Sequence, residues 1–103
     1  MGTYENLLLP VDDWYVTSTI HLDNNGCFRY HETWSCYAGS VDSKAEGKWE
    51  QTDNGVVLET QRIEGALRIG LAERQNYEVI KRGDCLDFGN GFVMTARHET
   101  GTN

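Results

Sequence analysis

Trp14-Tyr15-Val16-Thr17-Ser18-Thr19-Ile20-His21-Leu22, Asp23-Asn24-Asn25-Gly26 and Cys27-Phe28-Arg29-Tyr30-His31-Glu32-Thr33-Trp34 together decide the fold class. In the first segment Trp14, Val16, Ile20 and Leu22 lie to one side, and Tyr15, Thr17, Thr19 and His21 to the other. That period of two, carried by β-branched residues, predicts a half-buried strand. A three-residue loop, Asn24-Asn25-Gly26 with the glycine left-handed, pairs Asp23 with Cys27. The register then sets Leu22 opposite Phe28, Ile20 opposite Tyr30, Ser18 opposite Glu32 and Val16 opposite Trp34. Apolar residues meet apolar ones, so turn chemistry and side-chain pattern agree.

The same logic extends along the chain. After a small-residue loop at Tyr37–Asp42, Ala45 to Thr52 reads as a strand. Its Gly47-x-Trp49 pair shares one face, where glycine leaves room for a ring over the backbone. Trp49 is read as the centre of the core. Asn54-Gly55 suits a type I′ turn, which pairs Asp53 with Val56, Gln51 with Leu58 and Trp49 with Thr60. Gln61 to Gln75 fits either a helical stripe or a strand. Gly65 and Gly70 would each cost about 1 kcal/mol inside a helix, so a strand from Leu67 to Ala72 is expected. Asn76 to Arg82 alternates with Tyr77 and Val79 inward. A Gly83-Asp84 turn places Val79 opposite Phe88 and Lys81 opposite Leu86. After Gly89-Asn90-Gly91, Phe92 meets Phe88 and Met94 meets Leu86.

The expectation is one all-β domain over residues 1–103, an antiparallel meander of about eight short strands closed as a small barrel or a sandwich. Residues 1–13 show no clear period and read as an N-terminal arm. Residues 14–96 form the meander, and the polar tail 97–103 frays.

With 103 residues and a formal net charge of −7, the chain repels phosphate backbones and anionic lipid. Nucleic acid and membrane are therefore not expected partners. No apolar run approaches the ~20 residues of a membrane helix. Three cysteines without framework spacing read as reduced thiols. Together these give a cytoplasmic protein as the sequence stands, or a mature form whose leader has been removed.

Leu22-Asp23-Asn24-Asn25-Gly26-Cys27-Phe28-Arg29-Tyr30, the Tyr37 to Trp49 stretch with Ala45-Glu46-Gly47-Lys48-Trp49, and Gly55-Val56-Val57-Leu58 resemble a group of small uncharacterised bacterial proteins. Their shared pattern is Asp-Gly-x-Phe, a tyrosine-glycine loop, Ala-Glu-Gly-x-Trp and Gly-x-x-Val-Leu. Gly83-Asp84-Cys85-Leu86 and Gly89-Asn90-Gly91 look similar to their closing strands. The architecture also resembles a reduced lipocalin, and a leaderless acidic chain of this kind looks like an environmental gene-cassette product. The group brings no catalytic residue with it.

Chemistry is sought where the pattern turns polar rings inward. Trp14, Tyr30, Trp34, Trp49 and Tyr77 either fill the interior or line a pocket, with Tyr37 on the adjoining loop. Glu32 falls between Tyr30 and Trp34 on that inward face. A carboxylate there is paired, is protonated or meets a wet opening. The leading expectation is a binding module for a small apolar or cationic molecule, with Glu32 and the rings supplying charge pairing and cation–π attraction. One alternative is a homodimer with a filled core. Another is an acid/base enzyme acting on a hydrophobic substrate, with Glu32 as its catalytic residue. A cavity of at least ~300 Å³ reaching Glu32 favours binding or catalysis over a filled core. His21, Cys27 and His31 share the outward face, but Arg29 sits among them and repels a cation, so neither metal nor cofactor is expected. Phosphate-loop, nucleophile-elbow, dinucleotide and paired-cysteine motifs are all missing.

Overall fold

A computed structural model of the chain describes residues 2–65, 76–89 and 92–97. Among these residues eight strands occur: β1 (Gly2–Val11), β2 (Trp14–Leu22), β3 (Cys27–Cys36), β4 (Gly39–Gln51), β5 (Gly55–Glu64), β6 (Asn76–Arg82), β7 (Cys85–Asp87) and β8 (Val93–Ala96). Each pairs antiparallel with the next, and β8 returns to β1, so the meander closes as a barrel. Closure removes the free edges that an open sheet of this size would present.

The β2–β3 register is the one its turn requires. Leu22 faces Phe28, Ile20 faces Tyr30, Ser18 faces Glu32 and Val16 faces Trp34. Gly26 adopts φ 87°, its N–H donates to the Asp23 carbonyl, and Asp23 N–H donates to the Cys27 carbonyl. The closing strands also pair as their turns predict, with Lys81 opposite Leu86 and Leu86 opposite Met94.

The structure corrects the sequence reading at four places. Residues 2–11 are the first strand, not an arm: β1 lies between β2 and β8. A register shift between Asn6 and Leu9 breaks its alternation, which explains the absent period. At the other end Arg97 does not fray. Its N–H donates to the Thr3 carbonyl at 2.8 Å and its guanidinium pairs with Glu5 at 2.7 Å. The loop expected at Tyr37–Asp42 is a two-residue turn, since Cys36 faces Gly39 and β4 starts there. Finally, the β4–β5 turn is Asp53-Asn54, one residue earlier than expected. Thr52 N–H donates to the Gly55 carbonyl, and Gln51 faces Val56 while Trp49 faces Leu58. A shift of two in the partner keeps every side chain on its expected face. The expected strand at Leu67–Ala72 lies outside the described residues.

Gly55 explains the shifted turn. A Cβ on it would lie 2.0 Å from the Val79 carbonyl oxygen, so this glycine permits close approach of β5 and β6 and is not a turn residue. Gly47 does the same within β4–β5, where a Cβ would lie 1.9 Å from the Glu59 carbonyl oxygen. Both obstructions are backbone, which cannot swing aside. Gly55→Ala is expected to destabilise the fold by roughly 3 kcal/mol in urea denaturation; a loss below about 0.5 kcal/mol would contradict this packing.

The barrel interior has two zones. The lower zone, at the Asn24–Gly26 and Asp53–Asn54 turns, holds a continuous core in which Ile20, Phe28, Leu58, Leu86 and Met94 are buried. Tyr77, Phe88 and Phe92 belong to it and pack with tilted rings, centroids 5.6 and 5.3 Å apart. Val16 and Trp34 are buried too, yet stand outside that cluster. Between them and the core lies a polar layer.

Candidate functional site

The polar layer follows from register. Asn6 faces Ser18, Ser18 faces Glu32 and Glu32 faces Ser43. Four successive strands thus bring four polar residues to one level. Ser18, Glu32 and Ser43 are at most 2% exposed. Asn6 reaches across the β1–β8 seam, donating from Nδ2 to the Val93 carbonyl at 2.7 Å. Gly65, at φ 90°, lies against Ser43: a Cβ there would come within 2.6 Å of the Ser43 hydroxyl.

Glu32 is fully buried, as its inward register predicts. The strand pleat puts Tyr30, Glu32 and Trp34 at successive inward positions. The Tyr30 hydroxyl donates to Oε1 at 2.6 Å, and the Trp34 indole N–H donates to Oε2 at 2.6 Å. Each carboxyl oxygen therefore accepts a short bond from a ring edge. The sequence reading placed the rings there for their faces, but their polar edges make the contact. Trp14 is half-buried and meets Trp34 edge-on at 6.2 Å, roofing the layer from above.

The Tyr30 phenol is pushed well above its ordinary 10.0, first by burial and then by the Glu32 charge and the bond to it; Ser18 opposes this and the Tyr77 phenol adds to it. Ser18 is near enough to influence the phenol, but its Oγ makes no contact of hydrogen-bonding geometry. The Thr60 hydroxyl, on β5 opposite Gly47, is likewise buried without a partner.

The remaining residues singled out from sequence divide clearly. Tyr77 is buried and acts on Tyr30 electrostatically. Trp49 is not the core's centre. It is half-buried against the core's edge, and its indole N–H donates to the Asp23 carbonyl at 2.8 Å, at the end opposite Trp34. Tyr37 sits on the β3–β4 turn fully exposed (101%), because the turn is too short to fold it back. It does not join the site. Ser18, Ser43 and Thr60 were not singled out as ligand residues, and the only signal for them was their inward parity.

On the outer face His21 and His31 take separate partners. His21 Nδ1 lies 2.8 Å from the Thr3 hydroxyl, and burial, Arg29 and Arg97 hold its pKa down. His31 leans toward Asp42 at 3.4 Å, whose own carboxyl is lowered mainly by the Thr33 hydroxyl. Among the described residues no group of three His, Cys, Asp or Glu side chains is placed to hold a metal ion. Three clefts of about 350 to 410 Å³ line the Asp53–Asn54 turn and the sheet beside Lys48 and Glu59. Glu32 lines none of these three.

Searches against protein-family models, curated proteins and solved structures find no match to this chain.

Tyr30 links this site to stability. Its raised pKa means that the folded state keeps a proton the unfolded chain begins to release near pH 10.0. The contribution is therefore whole below that value and is lost as pH rises above it. Tyr30→Phe is expected to cost roughly 2 kcal/mol at neutral pH and to flatten the alkaline fall in stability. Equal slopes for the two proteins between about pH 9 and pH 11 would refute the buried Tyr30–Glu32 contact.

Proposed function

We propose that the barrel is a binding module for a small molecule, held in the polar layer at Ser18 and Glu32. The observation that supports this is the pair of hydroxyls, Ser18 Oγ and Thr60 Oγ1, buried with no hydrogen-bond partner. Leaving such a group unsatisfied costs about 1–3 kcal/mol, a cost that core packing alone gives no reason to keep. A ligand with hydrogen-bonding groups would satisfy them. Apolar ligands have less support, since the lower interior is packed with side chains at most 6% exposed. The three clefts do not reach Glu32, so none of them is the cavity that would set binding above a filled core, and the reading rests on the buried hydroxyls alone.

The test is a thermal-shift screen of small polar molecules against the wild type and a Ser18→Ala/Thr60→Val variant. A true ligand at 100 times its Kd adds about 2.7 kcal/mol, or roughly 10 °C in Tm for a domain of this size. The variant, relieved of both unpartnered hydroxyls, is expected to melt several degrees above the ligand-free wild type and to respond less to the ligand. A variant that melts lower, with no compound stabilising the wild type, would show that ordered water satisfies these groups and would end the binding reading.

A further inference from the structure

We infer that the seam closing the barrel, between β1 and β8, is an acid-sensitive clasp, released when His21 takes up a proton beside Arg29 and Arg97. The inference is independent of the binding reading above. It starts from how little backbone holds the seam. β2 and β3 pair without a break from Tyr15–Ser35 to Leu22–Phe28. Across the seam the pairs among the described residues are Tyr4–Ala96 and Glu5–Thr95. Other groups complete the closure. Asn6 Nδ2 donates to the Val93 carbonyl. Arg97 N–H donates to the Thr3 carbonyl at 2.8 Å, and its guanidinium nitrogens lie 2.7 and 2.9 Å from Glu5 Oε1. Met94 on β8 is fully buried and Tyr4 on β1 packs against the core, so opening the seam wets the interior.

His21 sits against this clasp. Register sets it between Thr3 of β1 and Arg29 of β3. Its Nδ1 lies 2.8 Å from the hydroxyl of Thr3, the residue whose carbonyl holds Arg97. The charges acting on the ring are Arg29, Arg97 and, in the opposite sense, Asp23 of the β2–β3 turn. Asp23 already pairs with Arg29 at 3.5 Å. Glu5, two positions along β1 from Thr3, already pairs with Arg97. Cys27 and His31 flank Arg29 along β3, and His31 leans away to Asp42 at 3.4 Å. The nearby carboxylates are thus taken by arginines, and a proton on His21 adds a third cation to the cluster. Like charges at this range repel. Opening the seam carries Arg97 away from the ring and returns the ring to water, which relieves part of that repulsion.

The direction of the pH effect follows. Burial, Arg29 and Arg97 hold the His21 pKa below its ordinary 6.5. The closed seam therefore takes up this proton less readily than the open one. Closure is at full strength above pH 6.5 and weakens as pH falls from there through the lowered pKa.

The test is amide hydrogen exchange of the whole chain at about pH 7.5 and about pH 5, read as protection factors so that the intrinsic pH dependence divides out. The reporter is the Arg97 N–H, which closure ties to Thr3; the amides of β3 are the reference. On acidification the wild-type Arg97 protection is expected to fall at least about threefold relative to β3. In His21→Gln, which keeps a hydrogen-bonding side chain but cannot titrate, the ratio is expected to stay the same. Arg97→Gln is expected to lower protection of its own amide at neutral pH and to shrink the acid loss. A wild-type ratio that does not change with pH overturns the inference. An equal fall in His21→Gln overturns it by tracing the effect to another group, and an undiminished fall in Arg97→Gln removes the clasp from the account. Absence of protection at Arg97 at the higher pH overturns it as well, since the seam would then not be held there.

Discussion

A carboxyl group with no exposed surface dominates the upper half of this barrel. Removing Glu32 from water costs several kcal/mol unless the protein replaces the lost hydration with hydrogen bonds. Two of those bonds come from its own strand. Because side chains two residues apart share a face, Tyr30 and Trp34 flank Glu32 and each delivers its single polar hydrogen to one carboxyl oxygen. The clamp is thus local in sequence and rigid, since both donors sit on large buried rings.

The clamp divides the interior. Below it the Ile20–Phe28–Leu58–Met94 core packs as in any small β-barrel. Above it Trp14, Val16 and Trp34 form a separate apolar roof. Between them, register alone brings Asn6, Ser18 and Ser43 to the level of Glu32. An all-apolar layer there would give a more uniform core. Buried polar groups at successive cross-strand positions, two of the interior hydroxyls unsatisfied, are the kind of local departure from good packing that functional sites show.

How much of this was legible in the sequence depends on how far the deciding information travels. The β2–β3 hairpin was readable because Asn24-Asn25-Gly26 fixes the register within a few residues and the pattern confirms it. The inward position of Glu32 followed directly. The β4–β5 register was not readable. Gly55 looks like a turn glycine until β6 is known to bring the Val79 carbonyl against it, and that contact is long-range. β1 was hidden by its own register shift between Asn6 and Leu9 and by pairing with the far end of the chain. For the site, alternation gave the faces of the rings but not their rotamers. Parity put Tyr30 and Trp34 beside Glu32, and only three-dimensional packing turns their edges into donors. Tyr37 and Trp49 were misplaced because a turn's length and a strand's end decide where a ring goes, and neither follows from the period.

The most direct measurement of the Glu32 clamp is native-state hydrogen exchange of the Trp34 indole N–H, compared with that of Trp14. If the indole hydrogen is held by a buried carboxyl oxygen, its exchange requires opening of the barrel. It should then be protected nearly as well as the slowest backbone amides of β3. Exchange at the rate of a solvent-exposed indole would mean that Trp34 does not hold Glu32, and the polar layer as described would not exist.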